Sequence, residues 1–267
     1  MFQPVIKWSG SKRTQAKRLV KLFPKFNKYY EPFLGGGSVL YALNHSGQIT
    51  CGDICKPLID LWVLIQKNPN KLINFYRENW EKLQNQGHKF YYEVRTRFND
   101  NQNPEDLFFL SRTCVNGLIR FNKEGKFNNS LHYTRKGIHP DRISKIIFEW
   151  SEKIKQVNFE HSDYRETTKS ATSEDLIYLD PPYFNTKGRY FGKINYDEFI
   201  LYLEDLNKKR INFVLSYDGM RGNNNYLKNL PKNLYKKHLF LTSGNSSFKK
   251  VMSKKCEEVK ESVYLNF

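Results

Sequence analysis

The 267-residue sequence is short of cysteine, of acidic residues and of long apolar runs, and each scarcity excludes something. The four cysteines (Cys51, Cys55, Cys114, Cys256) are irregularly spaced and form no C-x-x-C pair. That argues against a disulfide framework or a zinc knuckle and fits reduced thiols in a cytoplasmic protein. The six histidines are scattered, with no metal-ligand spacing. The most apolar stretch, 58–65, contains Asp60 and is far too short to span a bilayer. The first residues, Met1 to Lys7, lack the apolar centre of a signal peptide. No internal repeat or low-complexity tract is present, so the expectation is a cytoplasmic protein with no membrane role.

Against 27 acidic residues stand 44 lysines and arginines, a formal net charge of +17. Such an excess points to a polyanionic partner, nucleic acid first. Codon usage in an AT-rich genome, which favours Lys and Asn, is the other source of the same bias. Apolar residues at 39% and aromatics at 15% are ample for a core. The length fits one large domain, or a domain carrying an insertion.

The hydrophobic pattern divides the chain. Residues 28–54 read as strand, tight turn, short helix and second strand, with Ser38 placed to cap the helix. From about 67 to 150 the pattern is helical and polar: Tyr76, Trp80 and Leu83, then Phe90, Tyr91, Val94 and Phe98, recur at three- and four-residue steps. The stretch 120–139 is rich in Asn, Lys, Gly and Arg and reads as a polar surface loop. Strand signals return at 157–159, 176–179 and 211–215, with a helix expected over 196–208. Two last strands, about 237–241 and 262–267, are expected to pair antiparallel at an edge. Alternating strands and helices predict an α/β, doubly wound sheet. Residues 1–66 and 151–267 would form it, and 67–150 would be an inserted helical subdomain.

Two motifs carry chemistry. Glycines 35–37 fall between the first strand and the first helix, where they let a cofactor approach the backbone. Asp53 closes the second strand, the usual place for a carboxylate that binds ribose hydroxyls. Together they suggest an adenosine-type cofactor. They do not make a dinucleotide fingerprint, because Leu40 stands where the third small residue belongs. The second motif, Asp180-Pro181-Pro182-Tyr183, follows the buried run 176–179. Its prolines stiffen the turn. A fixed carboxylate, a fixed Pro181 carbonyl and the Tyr183 ring would make a compact site for an aminated base, with the ring stacking on it. If strand 176–179 lies beside the first strand, both motifs meet at the topological switch point, where ligands bind.

With these motifs the chain resembles the D12 (Dam-like) class of DNA adenine-N6 methyltransferases, over nearly its whole length. Lys7-Trp8-Ser9-Gly10-Ser11-Lys12 resembles the family's N-terminal motif, and Glu31 to Gly37 its cofactor loop. Asn116-Gly117-Leu118, with Arg120-Phe121-Asn122 and Gly125-Lys126-Phe127-Asn128, resembles its target-recognition segment. Asp180 to Tyr183 resembles its catalytic motif, and the order is that of the alpha group. The resemblance implies a Rossmann-like methyltransferase sheet with a helical target-recognition insertion. It implies S-adenosyl-L-methionine as cofactor, held by Trp8, Lys12, Glu31, Pro32, Phe33, Gly35, Gly36, Gly37, Ser38, Asp53, Ile54, Asp163, Tyr164 and Asp180. Asp163 would face the cofactor's adenine amine. The implied substrate is double-stranded DNA, with an adenine flipped out for methylation at N6. Lys7, Lys12, Arg112, Asn116, Arg120, Asn122, Lys126, Asn128 and Arg135 would touch the DNA. Asp as the first motif letter favours adenine over cytosine. No metal is implied; a cognate restriction endonuclease is an allowed partner, and a monomer is the favoured state. The chain departs from GATC-specific members at Val115, where they carry an aromatic residue, and over 129–135. The recognition sequence therefore does not carry over.

Overall fold

Continuous apolar runs bounded by turn residues form strands buried on both faces, and those runs build the centre of the molecule. The computed structural model describes residues 2–182, 194–221, 224–225, 230–245 and 258–267, with the side chains of 218–221, 224–225, 243–245 and 258–259 left aside. Tyr183, with its expected stacking role, lies outside the described residues.

Five parallel strands come first: β1 (Tyr29–Glu31), β2 (Ile49–Asp53), β3 (Val157–His161), β4 (Leu176–Leu179) and β5 (Asn212–Arg221). A two-residue strand, β6 (Asn224–Asn225), folds back on β5. The last two, β7 (Lys237–Asn245) and β8 (Glu258–Leu265), run antiparallel. The order across the sheet is β3-β2-β1-β4-β5-β8-β7. The fold is the expected doubly wound α/β sheet, and β4 does lie beside β1, so the order reverses between them. The terminal pair forms as expected, with β8 inserted beside β5 and β7 at the edge.

The helices are α1 (Ala16–Val20), α2 (Ser38–Ala42), α3 (Lys56–Lys67), α4 (Pro69–Gln86), α5 (His88–Asn101), α6 (Pro104–Thr113), α7 (Pro140–Lys153), α8 (Tyr164–Thr167) and α9 (Tyr196–Lys208). Side chains of alternate strand residues go to opposite faces. Tyr29, Tyr178, Val214 and Val263 pack with Ala16 and Leu19 of α1 and Val39 of α2. Tyr30, Ile177, Leu179, Phe213 and Leu215 pack with Phe199, Tyr202, Leu203 and Leu206 of α9.

Helices α4 to α7 lie between β2 and β3. Three of them open with the same device: Asn68-Pro69, Asn103-Pro104 and His139-Pro140 each place a side-chain acceptor on a first-turn amide and a proline where no donor is needed. Their apolar faces join Leu58, Leu61, Trp62 and Ile65 of α3 in one continuous core that reaches Val5 and Ile6.

The stretch 120–139 differs from its expected polar surface character. Phe121 and Phe127 face each other across an antiparallel bridge. Both are buried, as is Leu131. The polar residues between them turn the chain of a small hairpin over 120–128, and its phenyl rings anchor it to the helical core through Phe98.

Candidate active site

The pocket forms where β1 and β4 diverge, at their carboxyl ends. Glu31 ends β1 and Asp53 ends β2; Asp163 follows β3 and Asp180 follows β4. Parallel strands bring these four carboxylates to one rim although they are far apart in sequence. Trp8, Lys12, Glu31, Pro32, Phe33, Gly35, Gly36, Ser38, Asp53, Ile54, Asp163, Tyr164, Asp180, Pro181 and Pro182 all line this pocket.

The glycine turn is shaped by two tryptophans. Gly35 has φ +48°, and a Cβ there would stand 2.8 Å from Trp8 Cδ1. At Gly36 it would stand 3.1 Å from Trp8 Cβ. Trp8 therefore lies directly against the bare backbone, as only glycine permits. From below, Trp62 Nε1 donates to the Gly35 carbonyl at 3.1 Å. Gly37 (φ +63°) faces away from the pocket: a Cβ there would lie 3.0 Å from the Trp62 ring and 3.3 Å from Trp150. The indoles fill the space beneath the turn at this residue.

Asp53 is held by two amides. The Gly35 N–H donates to Oδ2 at 3.1 Å and the Cys55 N–H to Oδ1 at 3.0 Å. Burial nonetheless raises its pKa to about 6, with those two hydrogen bonds opposing the rise. Glu31 is 2% exposed and accepts the Tyr29 hydroxyl at 2.9 Å. Burial pushes its carboxyl up to about 8; the Tyr29 bond opposes this and the nearby Asp180 charge adds to it. Asp163 caps α8 and takes the Arg165 amide and Nε–H on Oδ1, at 3.0 and 2.9 Å.

Asp180 Oδ1 lies 3.0 Å from Lys12 Nζ. Burial raises the Asp180 pKa to about 6; Lys12 opposes the rise and Glu261 adds to it. Lys12 is 5% exposed, so it stands on the pocket floor and not on an outer surface.

The expected DNA contacts divide. Asn116, Arg120, Asn122, Lys126 and Arg135 are exposed on or near the hairpin. Asn116 holds φ +56°, a left-handed conformation rare for a residue with a side chain, and Gly117 beside it holds +62°. The Lys7 stem packs against this turn, since a Cβ on Gly117 would meet Lys7 Cδ at 2.3 Å. Arg120 Nε donates to Asn128 Oδ1 at 2.8 Å. Asn122 uses its carboxamide oxygen on the Glu124 and Lys126 amides, building the hairpin tip. Arg112 departs from expectation. It is 7% exposed and donates to the Pro4 carbonyl at 3.0 Å, and burial lowers its pKa to about 10. Every residue from 105 to 113 of α6 is buried, so this guanidinium serves the core and not a phosphate.

Trp62 and Glu261 belong to the site and carried no motif. An indole N–H in an apolar helix needs a partner when buried, which is the one signal Trp62 gave. Among the described residues no group of three or more His, Cys, Asp or Glu is placed to hold a metal ion.

An acidic pocket floored by glycine lies at the switch point of a doubly wound sheet, where such folds bind their ligands. Comparison with known proteins names the family. The model of the D12 class N6 adenine-specific DNA methyltransferases matches residues 8–246. The type II methyltransferase M.MjaIII of Methanocaldococcus jannaschii is 30% identical over 218 residues, 73% of this chain and 74% of its own. DNA adenine methylases of Vibrio cholerae (29% over 184 residues) and Escherichia coli (30% over 182 residues) align with 67% of this chain. The chain spans 64% of the length of each of those two, just under two thirds. The chain belongs to the D12 class of N6 adenine-specific DNA methyltransferases, enzymes that act on DNA with a methyl donor. Among the described residues no helix is long and apolar enough to cross a membrane.

Proposed function

We propose that the chain transfers the methyl group of S-adenosyl-L-methionine to the N6 amine of an adenine rotated out of double-stranded DNA. One observation carries the reading: Asp180 and the Gly35–Gly36 floor line the same pocket.

The residues fit the cofactor by their chemistry. Asp53 suits a ribose diol, Asp163 a purine amine, and Ile54 and Phe33 the faces of a purine ring. Glu31, Asp53, Asp163, Asp180 and Glu198 line the pocket against Lys12 and Arg165, an acidic excess that suits a cation even with Glu31 protonated, and the sulfonium is cationic. When bound, the cofactor supplies a methyl group already activated towards a nucleophile.

The chain then has to orient and polarise the acceptor. An adenine amine is a weak nucleophile because its lone pair is delocalised into the ring. Asp180 and the Pro181 carbonyl accept hydrogen bonds from its two protons, so electron density rises on nitrogen as the new N–C bond forms. Pro181 and Pro182 keep both acceptors fixed. Asp180 is the base nearest the proton the nitrogen must lose afterwards. No covalent enzyme intermediate is required, and the cysteines at 51, 55 and 114 are buried.

The target must leave the duplex to reach such a pocket. Residues 67–150, with the exposed hairpin residues Asn116, Arg120 and Lys126, are the proposed target-recognition unit, and Lys7 lies beside it. The test is Asp180→Asn beside the parent enzyme. Methylated DNA digested to nucleosides should contain N6-methyladenine from the parent and none from the variant, while both bind S-adenosyl-L-methionine. Near-normal turnover by the variant overturns the reading.

A further inference from the structure

We infer that Glu261 on β8 is a positioning residue that sets how Lys12 holds Asp180. The inference rests on the proposed role of Asp180 as acceptor for the adenine amine. Lys12 Nζ lies 3.0 Å from Asp180 Oδ1 and 3.3 Å from Glu261 Oε2, so one ammonium is shared by two carboxylates. The side chain of Lys12 is 4% exposed, and those of Asp180 and Glu261 are 19% and 17% exposed. Charges so far out of water persist only when paired.

The fold aims Glu261 deliberately. Residues 261, 263 and 265 alternate onto one face of β8, and Val263 and Leu265 of that face pack with Ala16 and Leu19 of α1. Lys12 precedes α1, and its carbonyl accepts the Gln15 and Ala16 amides. The β5–β8 ladder shifts register between Tyr217 and Gly219, directly opposite Glu261. Gln15 Nε2 donates to the Leu241 carbonyl at 3.2 Å, and Arg18 donates to that of Thr242, so α1 is tied to the strand beside β8. Leu241 is the partner of Glu261 in the β7–β8 ladder.

Lys12 from before α1 and Glu261 from β8 act on the Asp180 carboxyl, the first lowering its pKa and the second raising it, and Asp180 in turn acts on Glu31 of β1 and Tyr178 of β4. Glu261 competes with Asp180 for Lys12. With Glu261 charged, the ammonium is divided and Asp180 keeps its strength as an acceptor. Without that charge, Lys12 turns further towards Asp180, which then ionises at lower pH and polarises the amine less.

The experiment compares Glu261→Gln, Glu261→Asp and Asp180→Asn with the parent enzyme on duplex DNA. Turnover is measured against pH, and KM for both substrates is measured alongside. Glu261→Gln should move the acidic limb of kcat down by about one pH unit and lower kcat roughly tenfold. KM for S-adenosyl-L-methionine should hold within about twofold. Glu261→Asp keeps the charge and should keep the parent limb. A Glu261→Gln profile that overlays the parent's overturns the inference, as does a loss of kcat in both Glu261 variants with no change of limb. Asp180→Asn keeps the two questions separate: its full activity would defeat the proposed role of Asp180, whereas its inactivity beside an unmoved Glu261→Gln limb defeats only the role of Glu261.

Discussion

Trp62 on α3 donates its indole N–H to the Gly35 carbonyl, 3.1 Å away, and so fixes from beneath the turn that Trp8 covers from above. The glycine turn is therefore gripped between two indoles, one from the N-terminal segment and one from the first crossover helix. Its shape depends on residues that never touch a ligand.

Gly35→Ala tests that grip. The substitution imposes a Cβ on a left-handed residue and drives it to 2.8 Å from Trp8 Cδ1, so Trp8 must move. The expected cost is about 1–2 kcal/mol of stability and at least a tenfold loss of S-adenosyl-L-methionine affinity by calorimetry. Gly125→Ala is the control. Gly125 holds φ +73° with nothing within 4 Å of its Cβ direction. It should lose about 1 kcal/mol of stability and bind the cofactor as before. Equal affinities in the two variants would mean that Trp8 does not shape the pocket.

Removing the Trp62 donor is a second route to the same turn. Trp62→Phe keeps the ring stacked on Phe159, now centred 6.0 Å away, and deletes the N–H. The half-buried Gly35 carbonyl then loses that donor, at about 1 kcal/mol. Thermal unfolding should show a drop of several degrees, and the cofactor should bind more weakly. Unchanged cofactor affinity would show that the hydrogen bond is only structural.

Arg112 and Arg120 should part company on DNA. Arg112→Met removes the donor to the half-buried Pro4 carbonyl, so stability should fall by about 1 kcal/mol while the salt dependence of DNA binding stays as it was. Arg120→Ala should leave the melting temperature alone and, if the guanidinium meets a phosphate, reduce the salt slope by about 1. Binding isotherms at several salt concentrations decide it. A reduced slope for Arg112→Met would return that residue to the DNA surface.

The sheet was legible because its strands are local signals. Residues 176–179 and 211–215 are unbroken apolar runs, and buried parallel strands read that way. Both pocket corners were legible for the same reason: the glycine turn and the Asp-Pro-Pro corner are each a few consecutive residues. What escaped is long-range. Glu261 reaches Lys12 only because β8 inserts beside β5, and no spacing in the sequence announces that. Arg112, which the resemblance sets among the DNA contacts, is buried on α6. Leu107-Phe108-Phe109-Leu110 are four consecutive apolar residues, and the helix that carries them is buried from 105 to 113. The hairpin escaped because Phe121 and Phe127 are isolated aromatics in a polar stretch, and only their pairing across the turn makes them core.

The buried Glu31 carboxyl makes stability depend on pH with a defined sign. Its folded pKa is raised from 4.5 to about 8, chiefly by burial. Between those values the folded chain holds a proton that the unfolded chain has released. Its contribution is therefore complete below about 4.5 and is lost as pH rises through about 8. Asp53 and Asp180, raised from 3.8 to about 6, act with the same sign but lower on the scale. Above about 6 the slope from these three carboxyls is thus mainly that of Glu31. Glu31→Gln keeps an uncharged acceptor for the Tyr29 hydroxyl and removes the titration. The parent protein should lose stability from about pH 6 to 8, by at most a few kcal/mol, and the variant should lose clearly less. Denaturant melts at closely spaced pH values read the difference directly. Parallel curves for the two proteins across that window would mean that Glu31 is already ionised in the folded state, and that the pocket floor carries one negative charge more than assigned to it.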